Sequence, residues 1–325
     1  MKKIFCILVL VAMVTSPAVL ADEDGGYAGA LLQLSVQARP AAMGGAFYGL
    51  SDDGSAQYFN PAGLSQITQK TFSSSYRIMT LDRKLGYVSM VLPTHLESAL
   101  GISWLYAGYG EVTARNASGR ELDRTISSEE HLFSVTFAKR FVPYFSVGTK
   151  LGYYYKKLAN LDANSIGVDF GGMLFVDSLM EYGYMEDKPV QDITVGLIVH
   201  NLAATYPWTT NDYWEKYTDN PGVTQNDKFP VLVGLGVSFK TFNRKLLTVF
   251  DVEKNTKQTA KVKFGGEYTV DKLLRLRAGL NQGHVTAGMG LSQQINNFML
   301  MFDYAFSAEK ADEGSDHIIS LNLVF

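Results

Sequence analysis

Two stretches near the end of the chain decide the fold. Phe298–Phe306 has the sequence FMLMFDYAF, and Ile319–Phe325 has the sequence ISLNLVF. Counting from the first residue of each, every second position carries an aromatic or large aliphatic side chain. Successive side chains of a β-strand point to opposite faces, so this period of two predicts strands with one apolar face.

The same period recurs from residue 70 to the end of the chain, in fourteen segments joined mostly by short connections. These segments lie at 70–79, 84–93, 97–109, 129–141, 144–157, 163–177, 191–201, 229–240, 244–254, 259–270, 272–281, 283–294, 296–307 and 315–325. An even number of strands with hairpin connections is typical of an up-and-down barrel. The eighteen Tyr and nineteen Phe residues also favour a sheet.

The connections between the segments alternate in length. Longer connections follow odd-numbered segments, at Gly110–Ser128, Leu202–Lys228 and Ala308–Gly314, whereas most even-numbered segments end in tight turns. Residues 178–190 are an exception. Short periplasmic turns and long outer loops are typical of a transmembrane barrel, whose apolar face contacts lipid. The predicted fold class is all-β, a 14-stranded antiparallel transmembrane β-barrel.

The beginning of the chain predicts export. Lys2 and Lys3 precede the apolar run Ile4–Val14, and Ala18–Ala21 offers small residues for cleavage. This pattern predicts a cleaved signal peptide over residues 1–21, with an N-terminal membrane anchor as the alternative. Export of a β-barrel places it in the bacterial outer membrane, so outer-membrane lipid is an expected partner.

Composition and single residues exclude several functions. The net charge is −3 and the sequence contains no cluster of basic residues, which argues against nucleic-acid binding. The only cysteine, Cys6, lies in the signal peptide, which leaves no thiolate ligand or nucleophile after cleavage. The five histidines have no metal-ligand spacing, and no nucleophile elbow or phosphate-binding glycine motif is present. We therefore expect no metal, no cofactor and no enzyme activity.

One segment before the first strand does not follow the period of two. Ala38–Leu64 has the sequence ARPAAMGGAFYGLSDDGSAQYFNPAGL and predicts short helices near Pro40 and Asp53, followed by a turn at Asn60-Pro61. A fourteen-stranded barrel is wider than its own side chains can fill. We therefore predict that residues 22–68 form an N-terminal lumenal hatch of short helices and that residues 69–325 form the barrel.

This segment resembles the N-terminal signature of PorV/PorQ-type outer-membrane proteins, a branch of the FadL-like superfamily of long-chain fatty-acid transporters. The hatch residues singled out are Arg39, Met43, Gly44, Gly45, Asp52, Asp53, Asn60, Pro61 and Gly63. The resemblance implies a fourteen-stranded barrel with a lumenal hatch that carries an Asn-Pro-Ala motif. The terminal Phe325 likewise resembles the signal that the barrel-assembly machinery reads, the alternative being an ordinary edge strand.

Two further groups are candidate sites. The first is a lumenal charge cluster: Lys261, Lys263, Glu267, Arg275, Arg277 and Asp303. It could form salt bridges with the hatch through Asp52 and Asp53, bind an anionic head group, or be a neutralised, solvated wall. The second is an outer aromatic loop: Tyr206, Trp208, Tyr213, Trp214 and Tyr217. It could receive a hydrophobic ligand or partner protein, or belong to an interfacial aromatic belt.

Two functions follow from these expectations. The first is uptake or passage of a hydrophobic molecule through a hatch-gated lumen, which the short outer loops favour. The alternative is a PorV-like barrel associated with type IX secretion, which engages secreted cargo or carrier proteins. An apolar pocket between hatch and wall would favour the first, and a wide, hydrated lumen the second.

Overall fold

The computed structural model describes residues 26–116, 118–179, 189–210, 222–308 and 314–325. Within these residues, fourteen strands form one closed antiparallel barrel, so the predicted fold class is confirmed. Two further short strands form a separate hairpin.

The strands are numbered in chain order. The wall consists of β1 (Thr71–Ile78), β2 (Lys84–Thr94), β3 (Ser98–Arg115), β4 (Glu121–Val142), β5 (Phe145–Leu158), β6 (Leu161–Phe175), β7 (Val190–Leu202), β10 (Leu232–Thr241), β11 (Leu246–Asn255), β12 (Lys261–Thr269), β13 (Leu274–Asn281), β14 (His284–Ile295), β15 (Phe298–Ala308) and β16 (Ser315–Val324). The hairpin consists of β8 (Thr205–Thr209) and β9 (Thr224–Lys228).

Each wall strand pairs with its neighbours in the chain, except that β10 pairs with β7 because the β8–β9 hairpin lies between them. The barrel closes where β1 pairs with β16, from Thr71 opposite Val324 to Ile78 opposite His317. We call the end at which β1 begins and β16 ends the turn rim, and the opposite end the loop rim.

The predicted loop Gly110–Ser128 is wrong for most of its length. Strand β3 continues to Arg115 and β4 begins at Glu121. Val112 pairs with Ile126 in this extension. Such β-branched residues favour extended backbone and pack well across a strand pair, so the two strands continue as a ribbon beyond their other neighbours.

The two faces of the wall differ in chemistry. On β10, Val233 and Leu235 are 48% and 49% exposed on the outer face, whereas Gly234, Gly236 and Ser238 are buried on the lumenal face. The same alternation continues around the barrel and gives it an apolar exterior. No helix in the described part of the chain is long and apolar enough to cross a membrane.

The helices are short. Before β1 come the 3₁₀ helix η1 (Leu31–Gln33), α1 (Ala38–Ala42), α2 (Ala56–Phe59) and the 3₁₀ helix η2 (Pro61–Gln66), and α3 (Val176–Leu179) follows β6. The helix predicted near Asp53 begins three residues later, because the Asp53 carboxylate accepts hydrogen bonds from the Ser55 backbone N–H and hydroxyl. Pro61 occupies the first position of η2, where its missing N–H costs nothing.

Candidate functional site

The segment before β1 fills the lumen. Pro61 packs on Gly148 of β5, where an added Cβ would lie 2.3 Å from the Pro61 carbonyl carbon. Ala42 packs on Gly288 of β14, where a Cβ would lie 2.6 Å from its side chain. Strands β5 and β14 lie on opposite sides of the ring. The predicted hatch spanned residues 22–68. From here on we use the name hatch for residues 36–66, and we call residues 26–35, which lie nearer the loop rim, the arm.

Wall side chains bind the hatch through its backbone. The Thr286 hydroxyl accepts a hydrogen bond from Gly44 N–H (2.9 Å) and donates one to Ala42 O (2.9 Å). The Ser320 hydroxyl accepts one from Ala38 N–H (2.7 Å). Further wall groups that bond hatch backbone atoms are Ser75, Tyr87, Ser89, Ser146, Thr194, His200 and Ser238. Buried backbone groups that would otherwise lose their water partners are thereby satisfied.

Asp251 of β11 makes the most concentrated of these contacts. One of its carboxylate oxygens accepts hydrogen bonds from two consecutive hatch amides, Phe47 N–H at 2.6 Å and Tyr48 N–H at 2.9 Å. The carboxylate is fully buried. Sequence analysis did not single out this residue. Its signal was an acidic side chain on the lumenal face of a strand whose other face is apolar.

The Asn-Pro-Ala motif joins the hatch to the wall. The Asn60 side chain accepts a hydrogen bond from Ala62 N–H (3.1 Å) and donates to Tyr48 O (3.0 Å) and to Gly172 O of β6 (3.3 Å). A Cβ on Gly171 would lie 2.1 Å from the Asn60 oxygen. Asn60 therefore starts η2, fixes the preceding hatch loop and contacts the wall at one point.

The hatch glycines are required by backbone shape and close approach. Gly44 and Gly45 have φ of +69° and +75°, a conformation that other residues rarely adopt. A Cβ on Gly44 would lie 2.4 Å from the Leu280 carbonyl oxygen, and one on Gly63 would lie 2.1 Å from the Ser51 oxygen. The neighbouring Met43 is fully buried against the wall.

An ionic network links the hatch to four strands. Arg39 donates to Asp52 (2.6 Å) and Asp53 (3.1 Å) within the hatch and to Glu267 of β12 (3.0 Å). Glu267 also accepts from Arg277 of β13 (2.6 Å). The network continues from Arg277 to Asp303 of β15 (2.6 Å) and from Asp303 to Asn322 of β16 (3.2 Å), so it has residues on four strands and spans the lumenal face from β12 to β16.

The salt bridges between hatch and wall differ from the expected ones. Asp52 and Asp53 contact the hatch residue Arg39 and no described cation of the wall, and the link to the wall is made by Arg39 with Glu267. Burial lowers the pKa of Arg39, but attraction by the three carboxylates outweighs it and raises that pKa well above its usual value. Burial raises the pKa of Asp53, which Arg39 opposes.

The predicted charge cluster divides into two parts. Glu267, Arg277 and Asp303 are buried and neutralise one another together with Arg39. Lys263 pairs with Glu253 of β11 (2.7 Å), and with Lys261 it lines open lumen. Arg275 donates to the Ser292 hydroxyl. The first part is neutralised but buried rather than solvated, and through Glu267 it is paired with the hatch.

The outer aromatic loop turns inward at its start. Tyr206 of β8 is fully buried, with its ring 4.8 Å from that of Phe229 and 5.9 Å from that of Trp208. Tyr213, Trp214 and Tyr217 lie outside the described residues. Phe229 in turn contacts the arm, because a Cβ on Gly29 would lie 2.2 Å from its ring. The hairpin and the arm therefore pack against each other.

Among the described residues, the lumen contains a larger and a smaller cavity. The larger, about 1160 Å³, is open; it is lined by charged residues such as Arg77, Lys156 and Glu130 and by Trp208, and we call it the vestibule. The smaller, about 60 Å³, lies between hatch and wall, and aromatic rings and charged groups are interspersed in its lining, since Lys150 Nζ lies 5.9 Å from the centroid of the Tyr58 ring and Lys263 Nζ lies 5.5 Å from that of the Tyr48 ring. Its aromatic residues include Tyr48, Tyr58, Phe59, Tyr154 and Phe229. Arm residues line both cavities.

The lining of the small cavity contains three residues that sequence analysis missed. Lys150 of β5 and His200 of β7 both contact the carboxylate of Asp169 of β6, and all three side chains are nearly inaccessible to solvent. Each lies on the lumenal face of its strand, which was their only signal in the sequence. Among the described residues, no group of three or more His, Cys, Asp or Glu side chains is placed to hold a metal ion.

No family model and no curated protein matches this chain. Among solved structures, it is similar to the CymD monoaromatic hydrocarbon channel, with 13% identity over 89% of this chain and 96% of that one and a TM-score of 0.60. It is also similar to the Pseudomonas putida toluene transporter TodX (13% identity, 89% and 97% covered, TM-score 0.58) and to a Pseudomonas aeruginosa FadL homologue (13%, 90% and 98%, TM-score 0.57). At these identities the likeness establishes a shared fold.

Proposed function

We propose that this protein is an outer-membrane barrel that passes a hydrophobic molecule through a lumen closed by the hatch. The observation that carries the proposal is the arrangement along the lumen: an open vestibule, then an aromatic-lined cavity, then the hatch that fills the lumen from wall to wall. The apolar exterior of the barrel suits a lipid bilayer. The structural neighbours include proteins described as hydrocarbon channels and a toluene transporter.

The lining of the small cavity suits a molecule with a hydrophobic body and a polar end. Tyr58 and Phe59 are in contact, with ring centroids 4.9 Å apart, and they line the cavity together with the polar groups of Lys150 and His200. Binding sites for small molecules commonly combine such an apolar lining with a few polar groups.

The size of the cavity implies movement. Its volume of about 60 Å³ is smaller than the ~150 Å³ of a dry cavity that accepts benzene. Gly29 and Leu32 of the arm line it, and arm residues also line the vestibule. A ligand therefore enters only when the arm or the hatch shifts, and this movement is the gating step.

An uptake assay tests this function. Vesicles with the purified barrel and vesicles without it are given radiolabelled toluene or radiolabelled oleate, and faster entry in the first is expected for at least one probe. The double variant Ala38→Cys and Ser320→Cys would tie α1 to β16, where the Ala38 N–H lies 2.7 Å from the Ser320 hydroxyl. Oxidation should stop uptake and reduction restore it. Equal entry with and without the barrel would reject passage of these probes, and uptake unaffected by oxidation would reject gating by the hatch.

One observation favours the secretion-associated alternative. The vestibule is wide and lined largely by charged and polar side chains, as a surface for a protein segment would be. A deletion strain separates the two functions. Loss of secreted proteins with normal uptake of the hydrophobic probes would favour secretion, and the reverse result would favour transport.

A further inference from the structure

His200 lies between the wall and the hatch, with a hydrogen-bond acceptor on each side. Its Nδ1 is 2.9 Å from the Asp169 carboxylate of β6. Its Nε2 is 3.0 Å from the backbone carbonyl oxygen of Phe59, the last residue of α2. The ring is nearly buried and borders the small cavity.

The two acceptors determine how many protons the ring carries. A carbonyl oxygen only accepts, so Nε2 must donate to Phe59. Asp169 also accepts from Lys150 Nζ (2.5 Å) and from the Asn201 N–H (2.7 Å), and these two donors, one of them a cation, favour an ionised carboxylate. Nδ1 must then donate to Asp169 as well. Only the imidazolium form donates from both nitrogens, because neutral imidazole has one N–H.

We propose that His200 is a proton-operated latch that holds α2 of the hatch to strands β6 and β7. When the imidazolium loses a proton, one nitrogen keeps its N–H and the other presents a lone pair. If Nδ1 keeps its proton toward Asp169, the Nε2 lone pair faces the Phe59 oxygen and the bond to the hatch is lost. Free histidine changes charge between about pH 5 and 8, so a pH series that covers this range and extends above it tests the latch.

The groups around the His200 ring determine the balance between its charged and neutral forms. Asp169 of β6 stabilises the charged form, and Lys150 of β5 opposes it through the same carboxylate. On the hatch side the ring faces Tyr48, with centroids 6.3 Å apart. Tyr58 of the hatch, Tyr154 of β5, Glu253 of β11 and Lys263 of β12 border the same cavity. On β10 the paired residue is Leu232, which carries no charge. The hold of His200 on the hatch does not depend on which molecule the barrel passes.

Hydrogen exchange of the full-length barrel in detergent micelles tests the latch. Protection factors, which remove the intrinsic pH dependence of exchange, are measured for the amides of residues 56–63 from pH 5 to pH 9. We expect protection in the wild-type protein to fall about tenfold as pH rises, the size of one hydrogen bond to a charged group. In His200→Gln, the single side-chain nitrogen cannot take the place of both ring nitrogens and reach both acceptors at once. Protection should therefore be low and independent of pH.

A control variant and a second measurement complete the test. His317→Gln changes a histidine on the outer face of β16, hydrogen-bonded to Tyr304, and should keep the wild-type profile. If His200→Gln does not fold, ¹⁵N NMR of the wild-type histidines still decides, since both His200 nitrogens should carry protons at low pH. A flat wild-type profile, a pH-dependent His200→Gln profile, or a singly protonated His200 at pH 5 would overturn the proposal.

Discussion

The guanidinium of Arg39 lies 3.0 Å from the Glu267 carboxylate and 2.6 Å from Asp52, so one hatch side chain contacts both the wall and a second part of the hatch. Glu267 has a second cation in Arg277, whereas no other described cation is paired with Asp52 or Asp53. Removing Arg39 therefore isolates the hatch carboxylates more than it isolates the wall.

We expect Arg39→Gln to loosen the hatch and leave the barrel intact. Removing one partner of a largely buried ion pair costs about 3 kcal/mol or more, because the other charge stays buried without compensation. Hydrogen exchange should show faster exchange at residues 38–66 and unchanged exchange in the wall strands. Arg115→Gln is the matched control: its pair with Glu121 is 61% and 62% exposed and should contribute at most about 1 kcal/mol. Equal effects of the two variants would contradict the role given to Arg39.

Adjacent glycines of β12 test the close packing of hatch on wall. A Cβ on Gly265 would lie 2.4 Å from the Met43 carbonyl oxygen, whereas the nearest atom to a Cβ on Gly266, which faces outward, is 3.6 Å away. Gly265→Ala should therefore destabilise hatch docking by about 1–3 kcal/mol, and Gly266→Ala should not. Limited proteolysis of folded protein, with cleavage sites mapped by mass spectrometry, measures the difference. Similar cleavage of both variants would show that the hatch does not pack against this strand.

Asp251→Ala should expose the amides that it binds. The variant leaves the Phe47 and Tyr48 N–H groups without their carboxylate, and each buried, unpaired amide costs about 1–3 kcal/mol. The expected result is selective loss of exchange protection at residues 47 and 48. Asp227→Ala serves as control, since that carboxylate accepts one exposed hydrogen bond from Gln225. Retained protection at residues 47 and 48 would mean that water replaces the carboxylate without cost.

Substitution of Phe325 can distinguish its recognition by the assembly machinery from its packing against Phe298. Phe325 lies 6.2 Å from the Phe298 ring, centroid to centroid, and its N–H donates to the Lys70 oxygen. If Phe325 is read by the assembly machinery, Phe325→Ala should reduce the amount of folded barrel in the outer membrane several-fold, whereas Phe298→Ala should not. The measurement is the unheated fast-migrating band on gel electrophoresis of outer-membrane fractions. Equal reduction in both variants would assign the effect to packing of the two rings.

The barrel was predictable from sequence because its signal is local and repeated. Alternation at positions such as Val233 and Leu235 gives both the strand and its outward face. The extension of β3 to Arg115 was missed because residues 110–128 were predicted to be a long connection between the third and fourth strands. The content of the lumen was less accessible, since it depends on which residues meet across the ring. Nothing local distinguishes Arg39, which reaches Glu267 across 228 positions, from a solvated arginine.

The same limit explains the two contacts that sequence analysis missed. Asp251 and His200 lie 204 and 141 positions away from the hatch atoms they bind, and each binds backbone. A backbone partner leaves no trace in the identity of the hatch residue. Glycines were more informative, because Gly44 and Gly63 are required by local shape and close approach, and both belong to the motif recognised in the sequence.

The barrel closes at a seam between its first strand, β1, and its last strand, β16. Ser75 of β1 bonds the Val36 oxygen, and Ser320 of β16 bonds the Ala38 N–H, so the start of α1 bridges the two strands that form the seam. A closed ring has no free strand edge, and its first and last strands are held together by their own pairing. The register of the seam therefore rests on two sets of contacts, the hydrogen bonds between β1 and β16 in the wall and the bridge that residues 36–38 make between the same strands inside the lumen.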